Sequence, residues 1–375
     1  ITTVPSSLRT LLKGQLRFMN NHYEVIGVSG DGRALIELRQ NEGVETFVVE
    51  MTRTITPLKD LKALIQLYRF FRKEKPFIVH THTPKAGTLG MLAAKLAGVP
   101  HRLHTIAGLP LLEITGGKRK LLNVVEKFTY KCATLILPNS YGLEKIVLEQ
   151  KFTKPSKLKV IGNGSSNGIN TAHYDASLIT EDAKLKLKSK YGISNDDVVF
   201  IFIGRIVKDK GVNELIMAFN ELTNKNKNCK LFLIGPRENH LDPLLPSTEV
   251  LIKENNRILD ISFQRDIRPF LAISDVLSFP SYREGFPNVV LQASCMGLPC
   301  IVSNINGCNE VIEHNVNGLI IPVKDSIALE KAMQFMIDNP KKREAMKEHS
   351  RSRIIKRYKQ EFVWNELLKT YQTLK

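Results

Sequence analysis

Cysteine is scarce and unpatterned. Only five of 375 residues are cysteine, and Cys132, Cys229, Cys295, Cys300 and Cys308 contain no C-x-x-C pair. That odd, scattered set excludes a disulfide framework and a zinc site, and it fits small buried hydrophobes in a reducing cytoplasm. Long apolar runs are also missing. The longest, Val198–Ile203, falls far short of the roughly 20 residues that cross a bilayer. No apolar stretch of the signal-peptide kind opens the chain. The sequence begins at Ile1 rather than Met, in a strand-like run, so a few further residues are expected upstream of it. Nucleotide signatures are absent too. The nearest approach to G-x-G-x-x-G, at Gly27–Gly32, has the wrong spacing, and no P-loop pattern exists. No two aspartates are separated by a single residue, so a D-x-D metal–diphosphate site is not available.

Positive charge, by contrast, is abundant. Fifty-four Lys+Arg stand against 37 Asp+Glu, a formal net charge of +17. Residues 1–180 hold 25 of those cations and 13 of the acids, so most of the excess lies in the first half. A basic half points to a polyanionic partner: nucleic acid, an anionic membrane surface or a diphosphate-bearing substrate. Nucleic acid is disfavoured, because no RRM, KH or helix-turn-helix signature accompanies the charge and the chain has a single Trp.

Short β-branched runs alternate with amphipathic stretches along the chain. Strands are expected at Tyr23–Val28, Thr46–Glu50, Phe77–His82, His101–Thr105, Thr134–Pro138 and Leu158–Gly162. A second series follows at Val198–Gly204, Cys229–Gly235, Arg257–Leu259, Val276–Pro280, Pro299–Ser303 and Gly318–Pro322. Helical periodicity fills the intervals, as in Leu58–Lys73, Ala86–Ala97, Lys118–Lys131, Gly211–Leu222, Pro287–Met296 and Ile327–Asp338. Strands alternating with helices predict βαβ units on parallel sheets. The turn-rich Gly162–Gly168 run reads as a linker, which gives an N-terminal domain over 1–170 and a C-terminal domain over 171–350. Residues 351–375 are expected to form a helix that packs back on the first domain through Phe362, Val363, Leu367, Leu368 and Tyr371.

Two segments carry chemistry. In the first, Gly204-Arg205-Ile206-Val207-Lys208-Asp209-Lys210-Gly211, a strand ends and two cations follow at its carboxyl edge. A guanidinium and an ammonium there would neutralise a diphosphate without a metal. In the second, Glu284-Gly285-Phe286-Pro287-Asn288-Val289 leads into a helix, whose free N–H groups favour an anion beside Glu284. Gln292 follows eight residues after Glu284, roughly 12 Å on at 1.5 Å per helical residue, a length that suits a nucleotide sugar.

Together these segments resemble the retaining glycosyltransferases of family 4, whose pattern is G-x-x-x-x-K-G followed by E-G-x-P/G and a second Glu eight residues on. The likeness extends to His80–Gly87, Pro138-Asn139-Ser140, Ser303–Gly307 with Glu310, and Asn317-Gly318-Leu319-Ile320, so it spans nearly the whole chain. It implies the α/β GT-B fold: two doubly wound Rossmann-like domains facing across a cleft. It also implies that Arg205 and Lys210 hold the donor diphosphate, and that Glu284 binds the transferred sugar. Gly204, Phe286, Pro287, Asn288, Val289 and Gln292 would line the donor. No metal cofactor is implied.

Two positions depart from the family pattern. Gln292 stands where the second Glu is usual, which predicts weaker or altered ribose contacts. Ala107 stands where a His often occurs, leaving His82 and His104 as acceptor-side candidates. The resemblance implies a lipid-linked (polyprenyl diphosphate) or glycan acceptor, and a UDP-linked hexose or N-acetylhexosamine as donor. Leu8, Leu11, Leu12 and Leu16, interleaved with Arg9, Lys13 and Arg17, predict a helix able to rest on anionic lipid. A nucleotide-sugar 2-epimerase and a donor-binding inactive homologue are the alternative readings.

Overall fold

The computed structural model describes residues 1–52, 54–109, 111, 114–238 and 242–374. It divides into two compact units, residues 1–168 with 360–375, and residues 169–359.

Unit 1 begins with α1 (Pro5–Leu11) and α2 (Gln15–Asn20), then β1 (Ile26–Ser29), α3 (Arg33–Glu42), β2 (Glu45–Val48) and α4 (Pro57–Glu74). It continues through β3 (Ile78–Thr81), α5 (Pro84–Leu96), β4 (His101–Ile106), α6 (Gly116–Cys132), β5 (Leu135–Pro138) and α7 (Tyr141–Glu149). All pairings are parallel, β1 with β2 and β3–β4–β5 in sequence. Residues 1–3 join the two sets: Thr2 N–H donates to Val28 O (3.0 Å) and His82 N–H donates to Ile1 O (3.0 Å).

The helix predicted over Leu8–Arg17 differs in two ways. It breaks into α1 and α2 at Gly14, whose φ is +81° and where the Trp364 ring sits 2.7 Å from the place a Cβ would occupy. Its apolar side is also not free for lipid, since Leu8 and Leu12 are buried against Leu35, Leu38 and Val44. The predicted strand Leu158–Gly162 is reduced to isolated bridges, Leu158 with Ile136 and Gly162 with Gly164.

Unit 2 contains α8 (Glu181–Lys190), β6 (Val198–Ile203), α9 (Val212–Lys225), β7 (Cys229–Ile234), α10 (Pro246–Glu254) and β8 (Ile258–Ile261). After these come α11 (Arg268–Ala272), β9 (Val276–Phe279), α12 (Asn288–Cys295), β10 (Cys300–Ser303), α13 (Cys308–Val311), β11 (Gly318–Ile321), α14 (Ser326–Asp338) and α15 (Pro340–Tyr358). Its six parallel strands run in the order β11-β10-β9-β6-β7-β8. β6 reads VVFIFI because helices cover both of its faces, so alternation gives way to a continuous apolar run. Phe200, Ile201, Phe232, Leu277 and Ile301 are fully buried at the centre of the sheet. The last helix, α16 (Gln360–Gln372), belongs to unit 1, where Val363, Leu367 and Leu368 cluster with Met19, Leu103 and Leu137. All five cysteines are buried and unpaired, and burial pushes the Cys300 thiol up to about 12.

Candidate functional site

In unit 2 the chain runs from β6 out to β8 on one side, then returns to build β9, β10 and β11 on the other. Strand order therefore reverses between β6 and β9. Ligands of open parallel sheets bind at the carboxyl ends of strands flanking such a switch point. The two chemistry-bearing segments are the loops leaving these two strands: Gly204–Gly211 after β6, and Pro280–Pro287 after β9.

Their backbones touch. Gly211 has φ +70°, and a Cβ there would lie 2.0 Å from Pro280 O, so no other residue fits without moving the loop. Tyr282 N–H donates to Asp209 O at 2.9 Å, closing the contact. A third loop joins from β10, where Asn306 Nδ2 donates to the Glu284 carbonyl and, at 3.3 Å, to Gly285 O. Gly307 keeps φ +77° with no room for a Cβ against Gly285 O.

On this frame Lys210 Nζ donates to Glu284 Oε1, with both side chains about 15 % exposed. Ser281 Oγ donates to the same carboxylate oxygen at 3.0 Å. Arg205 faces Glu238 at 2.7 Å and Asp209 at 3.6 Å. Burial works against the Arg205 charge, but the Glu238 hydrogen bond and the nearby Asp209 and Glu284 outweigh it, holding the guanidinium above its ordinary value. Arg283 donates to Asp209 at 2.8 Å, and the Tyr282 hydroxyl donates to Glu214 at 2.7 Å. Two buried atoms in this network, Asp209 Oδ1 and Arg283 Nε, have no hydrogen-bond partner among the described residues.

The structure thus brings Arg205, Lys210 and Glu284 to neighbouring loops on one sheet edge. Gly204 follows β6, its carbonyl in close contact with the backbone of Gly235. Phe286 is buried, its ring 5.3 Å from that of Tyr358, so only its backbone can reach a ligand. Helix α12 starts at Asn288, one residue later than predicted, because Pro287 takes the N-cap with extended geometry. Asn288 is exposed, while Val289 and Gln292 are half-buried. Asp209, Glu238, Arg283 and Tyr282 were not singled out from sequence. Their signal was adjacency alone: Asp209 lies inside the Arg205–Lys210 loop, and Tyr282 and Arg283 immediately precede Glu284.

Unit 1 has a different edge. His82 lies at the carboxyl end of β3 and lines a cavity of about 20 Å³ with His80, Thr105, Asn139, Ser165 and Ser166. That volume admits one water-sized group and no sugar ring. His82 Nδ1, Asn139 Oδ1 and Ser166 Oγ are buried without a partner among the described residues. His80 bonds Tyr371 of α16 (2.6 Å) and Thr105 (2.7 Å). His104 does not line the cavity; its Nδ1 shares a 2.8 Å hydrogen bond with Thr81 Oγ1, and its ring presses on Gly87. Burial drives His80 and His82 well below the ordinary histidine value and His104 to about 4, so these rings are neutral near pH 7.

Comparison with known proteins agrees with this geometry. A family model for glycosyl transferases group 1 matches residues 183–353, and one for a glycosyl transferase 4-like domain matches residues 22–164. The capsular polysaccharide biosynthesis glycosyltransferase CapM of Staphylococcus aureus is 34% identical over 377 residues, covering 100% of this chain and 96% of that protein. The UDP-Gal:alpha-D-GlcNAc-diphosphoundecaprenol alpha-1,3-galactosyltransferase of Escherichia coli is 32% identical over 315 residues, 82% of this chain and 78% of that protein. The crystal structure of HepE from Anabaena in complex with UDP shares the fold, with a TM-score of 0.83 at 17% identity over 100% of this chain and 99% of that one. With a full-length relative above 30% identity and a matching family model in each unit, the chain belongs to the family 4 glycosyltransferases of GT-B fold.

Proposed function

We propose that this chain transfers a hexose or N-acetylhexosamine from a UDP-linked donor to a lipid-linked acceptor, with retention and without a metal, in surface-polysaccharide biosynthesis. The observation that carries the reading is the Lys210–Glu284 pair at the β6/β9 switch point, with Arg205 in the adjoining loop. Arg205 and Lys210 supply fixed positive charge where a leaving diphosphate develops negative charge, the part of the reaction that electrostatic preorganisation accelerates most. Glu284 accepts hydrogen bonds from sugar hydroxyls, and its loop is fixed by Asn306 and Ser281. The names of the two relatives, one acting in capsule biosynthesis and one moving galactose from UDP to a diphosphoundecaprenol-linked sugar, support the acceptor and donor classes.

The test has two stages. Thermal stabilisation by UDP, GDP and ADP is measured with and without EDTA; a ligand at 100 times its Kd adds about 2.7 kcal/mol. UDP is expected to stabilise the protein selectively and EDTA to change nothing. Transfer to a polyprenyl-diphosphate-linked sugar is then followed by NMR of the product's anomeric centre. Stabilisation by GDP or ADP alone would overturn the donor class, dependence on a divalent ion the metal-free route, and an inverted anomer the stereochemistry.

A further inference from the structure

The charges at the unit 2 edge balance one another. Arg205, Lys210 and Arg283 meet Asp209, Glu238 and Glu284, three cations against three carboxylates. A diphosphate that enters must therefore take cations that already have partners. The three carboxylates differ in how readily they give way. Asp209 is tied on several sides: its carboxylate accepts from Arg283 at 2.8 Å, its N–H donates to Asp242 Oδ2 at 2.7 Å, and its carbonyl accepts from Tyr282 N–H at 2.9 Å. Glu284 is about 16 % exposed and accepts from both Lys210 and Ser281 on one oxygen. Glu238 has 30 % of its side chain exposed, and that side chain has one partner among the described residues, Arg205 at 2.7 Å.

The main chain beneath Glu238 is held in place. Glu238 stands in the loop after β7, the strand beside β6. Ile206 N–H donates to Pro236 O at 2.9 Å and Lys208 N–H to Asp242 O at 3.4 Å, which clasps the loops after β6 and β7 together. Asp242 N–H in turn donates to the Glu238 carbonyl at 3.2 Å. The carboxylate can therefore leave the guanidinium and return to it by side-chain rotation alone, with both loops unmoved.

The diphosphate changes charge during transfer. In a nucleotide sugar each of the two phosphates carries one negative charge. The bond from the anomeric carbon to the diphosphate oxygen breaks, a bond to the acceptor hydroxyl oxygen forms, and that hydroxyl's proton passes to water. The electron pair stays on the diphosphate, whose terminal phosphate, with a second ionisation near pH 6, then carries further negative charge at pH 7. Fixed cations alone would hold this product harder than the donor, and product release limits turnover in many enzymes. We propose that Glu238 is an internal counter-ion that competes with the diphosphate for Arg205, giving way to the donor and returning to the guanidinium as the nucleoside diphosphate leaves. The inference rests on the donor-site reading above and names the group that shortens the product's stay there.

Calorimetric titration of the full chain with UDP tests it. Glu238→Gln should bind UDP about two- to fivefold more tightly, the strength of a partly exposed ion pair. The same substitution in an Arg205→Ala background should bring no gain, since the competition acts through that guanidinium. Glu249→Gln removes a like charge from the neighbouring Arg237, which it meets at 2.6 Å, and should leave UDP affinity unchanged. In initial-rate assays UDP should inhibit the Glu238→Gln variant at correspondingly lower concentration, with kcat reduced as release slows. A Glu238 that served only to hold Arg205 in place would move affinity the other way. Equal or weaker UDP binding by Glu238→Gln overturns the inference, and so does an equal gain from Glu249→Gln. If none of UDP, GDP and ADP binds the unaltered chain, the donor reading falls and this inference with it. Binding without a gain in the Glu238 variant overturns the inference alone.

Discussion

The two units share a parallel-sheet architecture, but their carboxyl edges are opposite in character. In unit 2 that edge is dense with charge, as Arg205, Lys210 and Arg283 meet Asp209, Glu238 and Glu284. In unit 1 the histidines at the same edge are kept neutral, because burial lowers the proton affinity of His80, His82 and His104. One fold thus builds a charged edge and a neutral polar lining with the same backbone. The difference is made by side-chain type and by how much water each edge admits. Charges survive at the unit 2 edge because each has a partner within hydrogen-bond reach, which offsets their desolvation.

The sharpest way to break this comparison is to remove charge from unit 2. Lys210→Ala should lower kcat/KM about 100- to 1000-fold in the transfer assay, the loss typical of one preorganised group facing developing charge. Glu284→Gln in the same background should add little further, because the two side chains act as a pair. Near-additive losses would show that they serve separate steps.

The backbone frame comes next. Gly211→Ala forces a Cβ against Pro280 O at a positive φ, and should cost unit 2 about 2–4 kcal/mol, read as a lowered midpoint in urea unfolding. A wild-type midpoint would mean the two loops separate easily.

For unit 1 the test is acid. His104 titrates at about 4 in the fold and near 6.5 when unfolded. As pH falls below 6.5 the unfolded chain gains protons that the fold refuses, so stability falls, by about 2 kcal/mol at pH 5 for this residue alone. His80 and His82 act in the same direction, while Glu126, held high by burial, acts against them. Thermal melts between pH 7 and pH 5 should therefore be flatter for His104→Gln than for the unaltered chain, and equal slopes would contradict a buried neutral ring. The smallest effect is expected from Gln292→Glu. Restoring the carboxylate usual in the family should lower the donor KM only a fewfold, by about 1 kcal/mol, in initial-rate measurements.

Most of the strand and helix series is legible in the sequence because each element is a short apolar run or a clean 3.6-residue period. β6 and α9 are examples where composition and burial coincide. The failures share a cause. Leu158–Gly162 has strand composition, but only Leu158 bridges a sheet strand, and pairing depends on what lies alongside. The Leu8–Arg17 period is real, yet it reports only that one face is apolar. Whether α3 or lipid covers that face is decided by residues far along the chain. At the sheet edge, the placement of Arg205, Lys210 and Glu284 on neighbouring loops could be expected from sequence because those loops follow strands. The partnerships Arg205–Glu238, Arg283–Asp209 and Tyr282–Glu214 could not, since they join positions 33, 74 and 68 residues apart.

The close approaches at Gly211, Gly235 and Gly307 have a consequence for how such a site diversifies. Each presses its backbone against a neighbouring carbonyl, that of Pro280, Gly204 or Gly285 respectively, and contributes no side chain to a ligand. The pocket is therefore assembled by main chain and furnished by side chains, and the two jobs fall on different residues. Side chains such as Gln292 or Asn288 can be exchanged while the scaffold that presents them stays fixed. A lineage built this way can change the side chains along this edge in single steps, without disturbing the backbone contacts that hold the loops.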